Sequence, residues 1–254
     1  MPKPAQTSAL EALVFDVDGT LSETEEVHRR AFNETFAAFR LPWNWDRALY
    51  RILLKVTGGK ERITHFIRAH DAALPAGEAV EALVARLHRD KTERTVALID
   101  GGAAVLRPGV GRLLDEARRE GVRLAIATTT SAPNVEALLK AALGSRGPAL
   151  FETIAAGDRV TRKKPAPDLY RIALEALGAP AQACLAVEDS NSGLRSAMAA
   201  GLPALITPSA YTDDHDFTGA LAVVADLDHA GGAVPSADGR VHVAGLRGLM
   251  GART

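Results

Sequence analysis

The 254-residue sequence predicts a doubly wound, Rossmann-like parallel α/β sheet with an inserted helical cap. Three observations carry this expectation. Beyond residue 101, short apolar runs alternate with amphipathic stretches, the pattern of parallel strands covered by helices on both faces. An earlier apolar run, Leu13-Val14-Phe15, breaks into the acidic loop Asp16-Val17-Asp18-Gly19-Thr20. Between these two regions the periodicity is helical throughout.

In chain order, Leu13 to Phe15 reads as a buried strand ended by a polar loop. From Glu25 onward, Val27, Ala31, Phe32, Thr35, Phe36 and Phe39 share one helical stripe, with Arg29, Arg30 and Glu34 off it. Further helices are expected over Arg47 to Val56, Glu61 to His70 and Glu78 to Leu98, with Gly58-Gly59 and Leu74-Pro75 as breaks. A helix from Val110 to Arg119 is stopped by Gly121 and followed by the strand Arg123 to Ala127. The same unit then recurs. Helices are expected from Asn134 to Leu143, Asp168 to Leu177 and Ser192 to Ala200, and strands from Thr153 to Ala155 and Cys184 to Val187. The apolar runs Ala204 to Ile206 and Ala222 to Val224 follow. The expected organisation is a catalytic core of residues 8–24 and 101–228, a cap of residues 25–100, and a glycine-rich mobile tail of residues 229–254.

Composition narrows the function. Thirty basic residues stand against 31 acidic ones, so no net field favours nucleic acid or an anionic membrane. Residues 1–9 hold no long apolar region and no later apolar run reaches membrane-spanning length, so neither export nor insertion is expected. The single cysteine, Cys184, sits in the apolar run Cys184-Leu185-Ala186-Val187 and reads as a buried thiol, consistent with a reducing cytoplasm.

Ligands of open parallel sheets collect at the carboxyl ends of the strands, and four such ends carry reactive groups. They offer Asp16 and Asp18, then Thr128, then Lys163 and Lys164 in the loop after the third strand, then Glu188 and Asp189. Carboxylates, a hydroxyl and an ammonium brought together this way suit metal-assisted phosphoryl transfer. The sequence resembles the haloacid dehalogenase superfamily of phosphatases in four ordered motifs: Asp16-Val17-Asp18-Gly19-Thr20, Thr128, Lys164-Pro165 and Glu188-Asp189. The resemblance spans roughly residues 10 to 228.

Chemistry supports the same residues independently. A carboxylate attacking a negatively charged phosphoryl group needs a cation beside it, and Mg²⁺ with a few hard oxygens and retained waters is the expected one. Asp16, the backbone carbonyl of Asp18 and the side chain of Asp189 form the expected protein set, with Glu188 acting from outside through water. Thr128 and Lys164 would stabilise the equatorial phosphoryl oxygens. The resemblance further implies that Asp18 protonates the leaving oxygen and later deprotonates the hydrolytic water. A calcium loop fits poorly, because Gly19 comes too early for an EF-hand and no glutamate follows at the required spacing. Gly58-Gly59-Lys60-Glu61-Arg62 lacks the GxxxxGK[ST] pattern of a P-loop, which disfavours a nucleotide kinase.

Within the superfamily, the segments from Ser22 to Asn33, Thr57 to Arg62 and Ala127 to Ser131 look like the CbbY phosphatases. That resemblance implies hydrolysis of xylulose 1,5-bisphosphate, an inhibitory misfire product of Rubisco, to xylulose 5-phosphate, and only through it a link to Rubisco and the Calvin cycle. The expected partner is a small sugar phosphate. A bisphosphate needs a second anion site, for which Lys60, Arg62 and Lys91 are the candidates. Tyr50, His28 and Glu23 are expected on sugar hydroxyls, and Thr129 is grouped with these substrate contacts. A β-phosphoglucomutase-like mutase shares the motifs and the cap position and stays open as an alternative. A phospho-accepting receiver would lack the helical insert. A dehalogenase would leave Asp18 and Asp189 without a purpose.

Overall fold

The structure, a computed structural model, describes residues 10–72, 74 and 77–252. Residues 8 and 9 of the expected core boundary and Pro75 of the expected break lie outside the described residues. Six parallel strands are hydrogen-bonded in the order β3-β2-β1-β4-β5-β6. They are β1 (Ala12–Phe15), β2 (Arg123–Ala127), β3 (Thr153–Ala155), β4 (Cys184–Glu188), β5 (Ala204–Ile206) and β6 (Ala222–Val223). The strand order reverses direction between β1 and β4, and such a switch point opens a crevice at the carboxyl edge of the sheet. Register places Phe15 opposite both Ile126 and Val187. Asp16, just past β1, and Glu188, the last residue of β4, therefore lie side by side at the carboxyl edge of the sheet.

Alternation along each strand divides the core into two faces. Leu13, Phe15, Leu124, Ile126, Leu185 and Val187 point to one face and pack with helices α5 (Val110–Arg119) and α6 (Ala132–Leu143). Their neighbours Ala12, Val14, Ala125, Ala127, Cys184 and Ala186 point to the other, against α7 (Asp168–Leu177) and α8 (Asn191–Ala199). Both faces are covered, so the strands read as near-continuous apolar runs.

Between β1 and α5 the chain forms α1 (Glu25–Ala38), α2 (Arg47–Leu53), α3 (Gly59–Ala69) and α4 (Val80–Leu98). An aromatic cluster of Phe32, Phe36, Trp43, Trp45, Tyr50 and Phe66 holds them together, and Tyr211 joins it from the loop after β5. Trp45 lies 4.6 Å from Phe32 and 4.9 Å from Phe36 between ring centroids. Arg51 of α2 reaches that same loop, contacting Asp213, Asp214 and the carbonyl of Ala210. No described helix is long and apolar enough to cross a membrane.

Two expectations change. The break at Gly58-Gly59 stands, with Gly58 non-helical at the N-cap of α3 with φ +100°, a conformation that disfavours any residue with a side chain; what changes is that α3 already starts at Gly59 and α2 ends at Leu53. The expected mobile tail is packed. Helix α9 (Val243–Gly251) buries Val243, Leu246 and Met250 in the core, and Arg112 of α5 holds its approach through Asp228 and the carbonyls of Leu227 and Val241. The apolar spacing of Val243, Leu246 and Met250 outweighs the intervening glycines.

Candidate active site

The site grows out of the β1/β4 crevice. Asp16 extends β1 by one backbone hydrogen bond, to Val187 (3.0 Å). Its side chain accepts from Lys164 Nζ at 2.7 Å, and the same ammonium donates to Glu188 Oε1 at 2.5 Å. Tyr170 of α7 donates to that Glu188 oxygen at 2.7 Å. Glu188 fits because residue 193 is glycine: a Cβ there would overlap the Glu188 carboxylate. Gly19 has a similar duty. It turns the loop with φ +79°, and a Cβ on it would collide with Asp189.

Asp16, Glu188 and Asp189 offer oxygens that all lie within 4.8 Å of one another, and all three residues are buried. One ammonium faces three carboxylates. Lys164 is pulled up from its ordinary value by Asp16 and Glu188, which outweigh its burial. Burial pushes Asp16 up to about 8 against Lys164, with Glu188 and Asp18 adding to the rise. Burial likewise raises Asp189 well above the carboxylate range, reinforced by Asp16 and Glu188. Such a surplus of buried negative charge and hard oxygen fits a small divalent cation, whose charge would offset both shifts.

Asp18 has the opposite environment. Burial alone would raise it, but His28 Nε2 at 2.9 Å and Thr24 Oγ1 at 2.5 Å, with Lys91 nearby, bring it well below the ordinary carboxylate value. Lys91 Nζ lies 2.8 Å from His28 Nδ1. A donating ammonium there leaves the imidazole proton on Nε2, aimed at Asp18. Burial lowers Lys91 to about 8, with Asp18 opposing and Arg62 assisting the fall. Above that pH the folded chain loses this proton while the unfolded chain keeps it until about 10.5, so stability should rise with pH across this window. Activity should move the other way. The wild-type kcat/KM profile, which reports the free enzyme, should fall as pH passes about 8, and Lys91→Met should lose that limb; an unchanged limb in the variant would assign it to another group.

A cleft of about 610 Å³ joins these groups to the helical wall. Of the residues expected from sequence, Asp16, Asp18, His28, Arg62, Lys91, Thr129, Lys164 and Asp189 line it. Thr128 is buried next to the lining residue Thr129, its Oγ1 accepting from the backbone of Thr130 at 3.3 Å. Three expected sugar or phosphate contacts stand elsewhere. Lys60 lines a separate groove on α3 with Glu61, Thr64, His65 and Arg68, since residues two apart on a helix point roughly 200° away from each other. Tyr50 is fully buried, donating to Glu25 and supporting Arg62 from behind at 3.2 Å. Glu23 pairs with Arg107 at 3.3 Å.

Other cleft residues escaped the sequence reading. Ser131 Oγ and Asn134 Oδ1 are buried on its wall without a hydrogen-bond partner among the described residues, and polar atoms of this kind are satisfied by water or a bound molecule. His88, lowered to about 4 by burial and then by Lys91 and Lys60, lies beside them as a neutral imidazole. The hydroxyl run Thr128-Thr129-Thr130-Ser131 was the available signal for Ser131. Nothing local marked Tyr170 or Arg107.

The chain belongs to the haloacid dehalogenase-like hydrolases, whose family pattern it matches over residues 10–201, and it is a phosphatase of that class. It is 52% identical over 223 residues to protein CbbY of Cereibacter sphaeroides, a match covering 88% of this chain and 95% of the relative. The crystal structure of CbbY from Rhodobacter sphaeroides in complex with phosphate superposes with a TM-score of 0.81 at 53% identity, covering 85% of this chain and 94% of that one. A variant of that protein crystallised with xylulose 1,5-bisphosphate matches at the same TM-score and 52% identity, with the same coverage.

Proposed function

We propose that this sugar-phosphate phosphatase depends on Mg²⁺ and dephosphorylates xylulose 1,5-bisphosphate to xylulose 5-phosphate through a phosphoryl group carried on Asp16. The observation that carries the reading is Asp16 bound to Lys164 and clustered with Glu188 and Asp189, in a cleft that Arg62 and Lys91 also line. The similar protein crystallised with xylulose 1,5-bisphosphate supports the choice of substrate. A role in clearing a Rubisco inhibitor follows from that substrate alone. The cytoplasm is the compartment that fits, the one cysteine being a buried thiol at the start of β4.

Asp16, Asp189 and the carbonyl of Asp18 would hold Mg²⁺, with Glu188 behind them, and the ion would offset the phosphoryl charge. An Asp16 oxygen attacks phosphorus as the bond to the sugar oxygen breaks. Lys164 and the Thr128 hydroxyl stabilise the equatorial oxygens. Asp18 gives a proton to the departing oxygen, with the Lys91-His28 chain as its route. Asp18 then takes a proton from the water that attacks the phosphorylated Asp16, releasing phosphate and restoring the carboxylate.

Arg62 is the best placed distal anion group. Its fork donates to Leu53 and Tyr50 through Nε and Nη1, and Nη2 has no partner among the described residues. A charge-assisted contact is worth about 1.5 to 3 kcal/mol, so Arg62→Ala should cut kcat/KM for xylulose 1,5-bisphosphate by roughly tenfold to a hundredfold. A monophosphate should be little affected, and Lys60→Ala should match wild type on both. Phosphate release across ketose and aldose mono- and bisphosphates, with and without EDTA, tests the whole reading. Preference for a monophosphate, an isomerised product instead of phosphate, or full activity in EDTA would contradict it.

A further inference from the structure

Arg107 does not line the active-site cleft, yet its side chain is only 8% exposed and each of its three nitrogens has a partner. Nη1 donates to the carbonyls of Gly19 and Thr207 (2.6 Å), and Thr207 Oγ1 is 3.2 Å away. Nη2 donates to the carbonyls of Pro208 (2.7 Å) and Ala225 (3.4 Å), while Nε faces Glu23 Oε1 at 3.3 Å. Its backbone also donates to Leu21 at 2.9 Å. One planar fork thus gathers the loops leaving β1, β5 and β6, a geometry that lysine cannot reproduce.

Two of those loops carry the metal-site oxygens or hold them in place. Gly19 follows Asp18 and packs against Asp189. The β5 loop continues into Ser209 and Thr212, and Thr212 Oγ1 donates to Asp189 Oδ2 at 3.2 Å. We propose that Arg107, with Glu23 as its counter-ion, is a positioning residue that fixes the Asp16-Asp18 loop against Asp189 and so sets the affinity for the divalent cation. It acts through backbone carbonyls and touches no reacting group. This assignment gives Glu23 a structural purpose in place of a sugar contact, and it rests on the metal reading above.

The test compares wild type, Arg107→Lys and Glu23→Gln. Mn²⁺ binding is followed by electron paramagnetic resonance without substrate, and Mg²⁺ activation and substrate KM are measured separately. Arg107→Lys should weaken Mn²⁺ binding by about tenfold or more, as loss of groups that orient metal ligands does, and raise the Mg²⁺ requirement in step. Substrate KM at saturating Mg²⁺ should stay near wild type. Glu23→Gln should shift both metal measurements the same way by less, and it carries the test if Arg107→Lys fails to fold. Wild-type metal affinity in the folded variants would overturn the proposal, as would Glu23→Gln raising substrate KM alone. Failure of the wild-type enzyme to bind Mn²⁺ would overturn the metal reading itself, and this proposal with it.

Discussion

Replacing Asp16 with asparagine should lower phosphate release by at least about a thousandfold, the scale seen when a nucleophile is removed. The amide keeps the shape but has neither the charge nor the nucleophilicity of a carboxylate. Its effect on the fold should be small and of unusual sign. Breaking a buried ion pair ordinarily strands a charge and destabilises. Here Lys164 keeps Glu188 at 2.5 Å, and the substitution removes one of three crowded carboxylates. The metal-free variant should therefore melt at or above the wild-type temperature. A melting scan beside a phosphate-release assay checks both halves, and a variant that is inactive because it is unfolded would defeat the argument.

Asp18→Asn should lose roughly a hundredfold to ten-thousandfold in kcat, the range for general acid-base catalysis. Substrate and metal should still bind. The amide oxygen can accept from Thr24 and His28 as the carboxylate does at 2.5 and 2.9 Å, so the loop keeps its supports and loses its proton carrier. Equilibrium binding of xylulose 1,5-bisphosphate alongside steady-state kinetics separates the two effects. Near-normal turnover would remove Asp18 from the proton transfers.

The core of the sheet was legible because β1, β2, β4 and β5 are apolar runs that end on a charged or hydroxyl residue, as Val14-Phe15-Asp16 and Val187-Glu188-Asp189 do. Reactive groups at strand ends follow from local pattern, and Asp16, Asp18, Lys164 and Asp189 accordingly meet at one cleft. Residues on the inserted helices were harder to place, because a helix sends neighbours in different directions. Lys60 and Arg62 show this, one lining an outer groove and the other the cleft. Long-range partners left no local trace. Arg107 meets Gly19 across 88 positions, and Lys91 meets His28 across 63. Helix α9 was obscured by glycines in its sequence, although its buried Val243, Leu246 and Met250 held the helical spacing.

The phosphorylated state of Asp16 is the central claim, and rapid-quench mass spectrometry of a single turnover tests it most directly. With Mg²⁺ and xylulose 1,5-bisphosphate, the wild-type enzyme should show a transient phosphoryl adduct on the peptide containing Asp16. The adduct should be absent from Asp16→Asn and should disappear when EDTA precedes the substrate. Phosphate release at the full rate with no adduct on that peptide, or an adduct on any other residue, would contradict the account.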